Sequence, residues 1–379
     1  MNREGGLLLV GTCAVDQDAS QQKLYFLAAG LAHAGRPVRV LVPDLAANRA
    51  LLGKLAPEIP ATFYPFRHAA AEFRIKNALV SSLAPAVAYV VGLGLRSTLT
   101  AGRPWSHPRV IQDLDELPSA ITTFSAARRL YCRAIEAVAW RRSHAFTLAS
   151  DYLVEAARRR RPNLGDKILH LPVAISREEH VVDPALAAAL RQRHHGRRVL
   201  LYIGSMNRFY QVDELLELAA AFAVRDPTVL IRVLGDGPDL GHFREQAQAR
   251  SLAATIAFEG HVAREHLASH MDAADTLLFP FHDTLFNRTR CPTKSYHYAA
   301  ARRPVVTNRL GEVAKLFGES ACYYRQGDIA DLVAACERAL ARRDGFSNGL
   351  SFEELTWDAR AAAFDRWLDQ LGWLPVLSR

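Results

Sequence analysis

Phe281 to Leu310, FHDTLFNRTRCPTKSYHYAAARRPVVTNRL, reads as a basic polar loop, then a short helix, then a buried strand. The loop carries Arg288, Arg290 and Lys294. Pro292 stands where a first helical residue is expected, since its missing N–H would have no intrahelical partner there. A helix N-terminus presents unpaired backbone N–H groups and a partial positive charge, which suits a phosphate. Pro304-Val305-Val306-Thr307 follows as an interior strand. An ordinary loop–helix–strand unit with a solvated basic face accounts for the same residues, so the surrounding sequence has to decide.

Upstream the alternation repeats. Arg198–Ile203 is a strand ending in Gly204, and Val212–Phe222 is a helix. Thr228–Leu234 is a strand ending in Gly235-Asp236-Gly237-Pro238, and Leu240–Arg250 is a helix. Ile256–Glu259 ends in Gly260-His261, Arg264–Ala273 is a helix, and Thr276–Phe279 is a strand. Downstream, the stretch from Phe317 to Tyr323 supplies a strand and Ile329–Arg342 a helix. A last helix, Trp357 to Leu371, follows a Gly/Ser/Asn break at Phe346–Ser351 and is expected to pack away from its own domain.

The first half alternates less cleanly. Leu7–Gly11 is a strand, and Ser20–Ala34 is a helix with Leu24, Leu27, Ala28 and Leu31 at helical spacing, Ser20 as N-cap and Gly35 as stop. Val38–Val42, Ala61–Tyr64, Ala86–Val91, Arg109–Asp113, Ala145–Ala149 and Ile168–Leu171 are strands. Ser125–Arg142 and Asp151–Arg160 are helices, and 176–196 is a polar, charged connector. Strand–helix–strand order implies parallel sheets with right-handed crossovers. Two doubly wound α/β domains result, residues 1–175 and 198–346. In such sheets ligands bind outside the carboxyl ends of the strands. Gly204, Gly235 and Gly260 therefore are either plain turn residues or points where backbone approaches a nucleotide-sized ligand.

Composition excludes several classes. At 379 residues, half of them apolar, the chain exceeds one ordinary core. Cys13, Cys132, Cys291, Cys322 and Cys336 are scattered without metal-ligand spacing, which favours a reduced, cytoplasmic protein over a disulfide framework. The apolar run in MNREGGLLLVGTCAVDQ is too short for a signal peptide or a membrane span. Residues 1–175 hold 22 Lys and Arg against 13 Asp and Glu, and so carry all of the net +8. That face suits an anionic acceptor or an anionic membrane surface, or it is solvated helix surface. No aromatic–basic interleaving or recognised module accompanies it, so nucleic acid is not expected.

Leu201-Tyr-Ile-Gly-Ser205, Val233-Leu-Gly-Asp-Gly-Pro238, Ile256-Ala-Phe-Glu-Gly-His-Val262 and Cys291-Pro-Thr-Lys294 before Pro304-Val-Val306 fall in order. Their spacing resembles the donor domain of retaining glycosyltransferases of the GT-B fold, family 4 (glycosyltransferase group 1). Glu136 with Arg141–Ser150, and His170-Leu-Pro-Val173, are similar to the end of that family's first domain. The resemblance implies two Rossmann-like domains facing a central cleft, the first holding the acceptor. It also implies that the last helix, 352–371, packs back on the first domain.

The implied reaction transfers a sugar from a nucleoside diphosphate sugar to an acceptor hydroxyl with retention and no metal or other cofactor. By resemblance Gly204, Ser205, Tyr210, Gly235, Asp236, Gly237, His261, Val262, Arg290, Cys291, Thr293 and His297 contact the donor. Asp113-Leu-Asp-Glu116 resembles the family's Asp-x-His-Glu strand end, which places Asp115 and Glu116 beside the donor sugar or the acceptor. Where the family carries Glu, His and a leaving-group pair of cations, this chain has His297, Asp115, Ser205 and Tyr210, and Thr289 stands at the first of the family's paired acids. A departing diphosphate is stabilised by positioned cations and N–H dipoles, roles that fall to Arg208 and Lys294 with Arg290. The acceptor is a saccharide, a small molecule or a lipid-linked glycan. Alternative readings are an inverting transferase, a nucleotide-sugar epimerase and a degenerate nucleotide-sugar binder.

Overall fold

Two parallel sheets organise the chain, each in its own compact unit. The computed structural model describes residues 6–15, 19–66, 69–93, 108–207, 212–342 and 348–375. The first unit takes in 1–173, 289–291 and 356–379; the second takes in 174–288 and 292–355.

The first sheet holds β1 (Leu7–Val10), β2 (Val38–Pro43), β3 (Ala61–Tyr64), β4 (Val87–Val90), β5 (Arg109–Leu114), β6 (Ala145–Leu148) and β7 (Ile168–His170). Their order is β3-β2-β1-β4-β5-β6-β7, and every described pairing is parallel. Both faces of β1 are buried. Leu7 and Leu9 join one apolar cluster and Leu8 and Val10 the other, as the two-residue period of a strand requires. The helices are α1 (Ala19–His33), α2 (Ala46–Leu55), α3 (Ala69–Leu83), α4 (Ala126–Arg142) and α5 (Asp151–Arg160). Ser125 and Ser150 cap α4 and α5 by accepting from the N–H groups of Arg128 and Leu153. Ser20 lies inside α1 rather than before it, because the helix already begins at Ala19.

The second unit opens with α6 (Pro184–Arg193), within the stretch expected to be connector. Asp183 caps it through the N–H groups of Ala185 and Leu186, Pro184 opens it, and Ala187 and Leu190 are buried. The second sheet holds β8 (Arg198–Ile203), β9 (Val229–Leu234), β10 (Ile256–Gly260), β11 (Thr276–Phe279), β12 (Val305–Thr307) and β13 (Cys322–Tyr323), in the order β10-β9-β8-β11-β12-β13. Its helices are α7 (Asp213–Arg225), α8 (Leu240–Ala249), α9 (Leu267–Asp272), α10 (Leu285–Thr289), α11 (Thr293–Ala301), α12 (Gly311–Phe317) and α13 (Ile329–Ala341).

The last helix, α14 (Trp357–Leu371), belongs to the first unit and packs on α1. Trp357 stacks on Phe26 with ring centres 5.6 Å apart. Buried Arg36, just past α1, pairs with Asp365 and lies 2.6 Å from Asp369.

Candidate active site

In the second unit the strand ends are joined backbone to backbone. Gly204 N–H donates to Leu234 O at 2.9 Å, Met206 N–H to Asp236 O at 3.0 Å, and Gly235 N–H to Gly260 O at 2.7 Å. Asp239 N–H returns to Met206 O at 3.0 Å. This lacing explains the Gly-Asp-Gly turn. A Cβ on Gly235 would sit 1.8 Å from Gly204 O, at a φ of +141° that side chains rarely adopt, and one on Gly237 would sit 2.5 Å from Met206 O. Asp236 spends one carboxylate oxygen on Gly237 N–H at 2.7 Å.

The helix of the opening stretch is seated against the same edge. Tyr298, fully buried in α11, accepts from Ile203 N–H at 3.0 Å and donates to Leu278 O at 3.3 Å. One turn earlier, Lys294 Nζ lies 4.2 Å from the centre of the Tyr202 ring and 5.0 Å from that of Phe279. A Cβ on Gly204 would come within 2.5 Å of that ammonium, so Lys294 and the β8 end share one place. Pro292 is the residue before α11, not its first residue: its ψ of 126° is extended, and Thr293 opens the helix.

The expected basic loop is only partly available. Arg288 is matched by Asp283 through two bonds of 2.5 and 2.7 Å, and it lies at the end of α10 rather than in open loop. Arg290 and Cys291 group with the first unit, whereas Thr293 and Lys294 group with the second. Ser205 and His261 are exposed and Val262 is half-buried. Arg208 and Tyr210 lie outside the described residues.

His297 is held neutral. Burial, with the nearby charges of His180 and Arg264, pushes its pKa down to about 3, and its Nδ1 is sealed without a hydrogen-bond partner. A neutral ring offers one donor and one acceptor, where a carboxylate would accept at both oxygens.

In the first unit the strand ends are joined by side chains. Gln21 Oε1 accepts from Thr12 N–H at 2.8 Å, Asn48 Oδ1 from Val15 N–H at 3.0 Å, and Gln112 Nε2 donates to Gly92 O at 2.8 Å. Asp113 Oδ1 accepts from Thr147 at 2.5 Å, Tyr89 at 2.9 Å and Lys23 at 2.9 Å. The same Lys23 ammonium lies 2.6 Å from Asp115. Burial disfavours that charge, but the two carboxylates outweigh it and raise the Lys23 pKa above its usual range. Glu116 is half-buried beside them in sequence.

Residues 197–342 match the family model described as Glycosyl transferases group 1. The matched segment takes in the whole second sheet, with Gly204 and Lys294. Solved structures extend the likeness in fold to nearly the entire chain. The Anabaena protein HepE, in complex with UDP and glucose, is 14% identical with a TM-score of 0.71, covering 96% of this chain and 99% of its own. Sucrose-phosphate synthase from Thermosynechococcus elongatus is 14% identical with a TM-score of 0.70, covering 97% and 99%. WaaG, a glycosyltransferase involved in lipopolysaccharide biosynthesis, is 15% identical with a TM-score of 0.61, covering 94% of each chain. The fold is therefore GT-B, with two α/β units of parallel strands. No curated relative matches the chain by sequence.

Two groups near these edges escape sequence reasoning. Lys23 had a signal: it lies four and eight residues before Leu27 and Leu31, on the apolar stripe of α1. A buried cluster in the second unit had none. Glu214, in the first turn of α7, lies 2.7 Å from His282 Nε2 and accepts from Tyr324 at 2.7 Å. Burial works to raise the Glu214 pKa, but the bonds from His282 and Tyr324 outweigh it and hold it below the usual carboxylate value.

Proposed function

We propose that the protein transfers a sugar from a nucleoside diphosphate sugar to an acceptor hydroxyl, with retention of configuration and without a metal. The observation that carries this reading is the Lys294 ammonium at Gly204, beside the N-terminus of α11 and inside the family-matched segment. A cation and helix N–H dipoles at one strand end are what a departing diphosphate requires. Arg208, in the segment after β8, supplies the second cation. Gly235, Asp236 and Gly237 with His261 and Val262 hold the nucleoside. Because HepE is described in complex with UDP, the donor is a UDP-sugar.

The acceptor is held by the first unit and is a saccharide, a small molecule or a lipid-linked glycan. On α4 the exposed side chains Leu130 and Tyr131 lie among Arg128, Arg133 and Arg141, a pattern suited to an anionic membrane surface at the cytoplasmic face. Co-sedimentation with vesicles containing anionic lipid, and not with neutral ones, is the expected result; equal partitioning sinks that part.

A thermal-shift panel of UDP-, GDP- and ADP-sugars tests the donor, since a ligand of the folded state raises its melting point. Anomeric NMR of the product tests retention, and turnover undiminished by EDTA tests metal independence. Lys294→Ala and Arg208→Ala are each expected to lower kcat about tenfold or more. A second reading, binding without turnover, is favoured by the neutral His297 and by the Asp115 already engaged by Lys23. Tight donor binding with no hydrolysis or transfer would select it.

A further inference from the structure

Glu214 and His282 meet on the carboxyl edge of the second sheet, where folds of this kind bind ligands. Glu214 Oε1 lies 2.7 Å from His282 Nε2 and accepts from Gly327 N–H at 3.3 Å, while Oε2 accepts from Tyr324 at 2.7 Å. The backbone on either side of the imidazole is pinned independently. Phe281 N–H donates to Asn308 Oδ1 at 2.8 Å, and Asp283 N–H donates to Gln326 Oε1 at 2.7 Å. His282 O accepts from Asn287 Nδ2 at 2.8 Å. The loop is thus held without the ring, yet the ring is held as well.

One ring nitrogen is spent and the other is not. Burial opposes the charge on Glu214, but its bonds outweigh that and keep it a carboxylate. Two acceptors do not face each other at 2.7 Å, so Nε2 carries the proton, and in the neutral imidazole Nδ1 is the acceptor. Nε2 is sealed, whereas the side chain as a whole is 13% exposed, and among the described residues Nδ1 has no hydrogen-bond partner.

Place along the edge says what Nδ1 meets. The sheet order is β10-β9-β8-β11-β12-β13. The turns that hold the nucleoside in the reading above follow β9 and β10, and Lys294 lies at Gly204, just past β8. His282 follows β11, next to Phe281, whose ring centre is 5.2 Å from that of Phe279. The Phe279 ring in turn is 5.0 Å from the Lys294 ammonium. After nucleoside and diphosphate, the next group in line is the sugar. We infer that His282 Nδ1 accepts a hydrogen bond from a hydroxyl of the donor's sugar, and that Glu214 is a positioning residue that fixes the tautomer and direction of the ring. This rests on the nucleoside diphosphate sugar reading and narrows it to a residue that selects the sugar, since a site built to bond a hydroxyl rejects an analogue lacking it.

His282→Gln separates the two roles. Its amide reaches Glu214 as Nε2 does and puts no acceptor in the place of Nδ1. Titration calorimetry on the full chain compares UDP-glucose, GDP-mannose and ADP-glucose with UDP, GDP and ADP. Expected is that the nucleotide sugar bound best by the unmodified chain binds His282→Gln about tenfold more weakly, with the matching nucleoside diphosphate within twofold. Among deoxy analogues of that sugar nucleotide, one is expected to bind the unmodified chain about tenfold more weakly than its parent, and to bind His282→Gln no more weakly. Glu214→Gln, which no longer imposes the tautomer, is expected to weaken nucleotide-sugar binding by about threefold, and to add nothing in the His282→Gln background.

Nucleotide-sugar affinity unchanged in His282→Gln, with only a lower melting point, would make the pair structural and overturn the inference. Equal loss for nucleotide sugar and nucleoside diphosphate would overturn it too, because the ring would then not be reading the sugar. A further loss from Glu214→Gln on top of His282→Gln would overturn the positioning role. Failure of the donor reading looks different: the unmodified chain then binds neither nucleotide nor nucleotide sugar, and the inference falls with it.

Discussion

The carboxyl edges of the two sheets are built by opposite means. In the second unit, glycines let neighbouring strand ends touch backbone to backbone, with a Cβ of Gly235 excluded at 1.8 Å. In the first, Gln21, Asn48, Gln112, Lys23 and Asp113 fill the same positions with buried polar and charged side chains. On the glycine edge the backbone groups are spent on one another, Gly204 N–H on Leu234 O and Gly235 N–H on Gly260 O. The side-chain edge carries buried charge, with Lys23 paired to Asp113 and Asp115. One fold thus closes one carboxyl edge by backbone contact and the other by buried polar side chains.

The strongest way to break the comparison is Gly235→Ala. With backbone at 1.8 Å and φ at +141°, it is expected to destabilise the second unit by roughly 3–5 kcal/mol, or to prevent its folding. Urea unfolding near wild-type values would show that the lacing is dispensable. Next is Lys23→Met, which takes the cation from buried Asp113 and is expected to cost about 3–5 kcal/mol, with at least half recovered on adding Asp113→Asn. A double variant no better than the single one would mean that charge is not what the first edge contains.

Acid should separate the two units. Burial and Arg232 lower the pKa of His270 from 6.5 to about 4, and His297 falls from 6.5 to about 3. Both lie in the second unit. Their folded forms bind fewer protons than the unfolded chain, so the stability they secure is complete above pH 6.5 and is lost as pH falls towards 4 and then 3. Hydrogen exchange is expected to open amides of the second unit before those of the first across that range. His297→Asn should narrow the difference, and simultaneous opening of both units would contradict it.

Smaller effects sharpen the contrast. Tyr298→Phe leaves Ile203 N–H and Leu278 O short of a partner and is expected to lower stability by about 1–3 kcal/mol, read by thermal melting together with donor affinity. Arg288→Ala breaks the exposed pair with Asp283 and is expected to change stability by about 0–1 kcal/mol. A tenfold loss of donor affinity from that variant would show that Arg288 leaves Asp283 to reach the ligand.

Strand and helix order was legible because each element carries its own periodicity. Arg198–Ile203, Thr276–Phe279, Asp151–Arg160 and Trp357–Leu371 fall where the pattern puts them. The errors came where one local signal outweighed another. Polar residues between 176 and 196 concealed α6, although Asp183-Pro184 is a cap followed by a first-turn proline. The short α12, Gly311–Phe317, was hidden behind the Asn308-Arg309 turn before it. Pro292 fitted both the first helical position and the one before it, and the extended ψ decided for the latter.

The site divides along the same line. Sequence by itself determined the glycine turn, the lysine at the start of the helix after Pro292, and the paired acids at the end of β5, because each is a short pattern tied to one element. Only tertiary structure could decide that Lys294 lies at Gly204, that Asp283 occupies Arg288, or that His297 is neutral. It alone joined Lys23 to acids about 90 positions away, as their sequence separations of 90 and 92 record. The physical reason is that a local pattern sets which way a side chain leaves its own element. Charge state and partner depend on distances between elements, and those exist only once the sheets have closed.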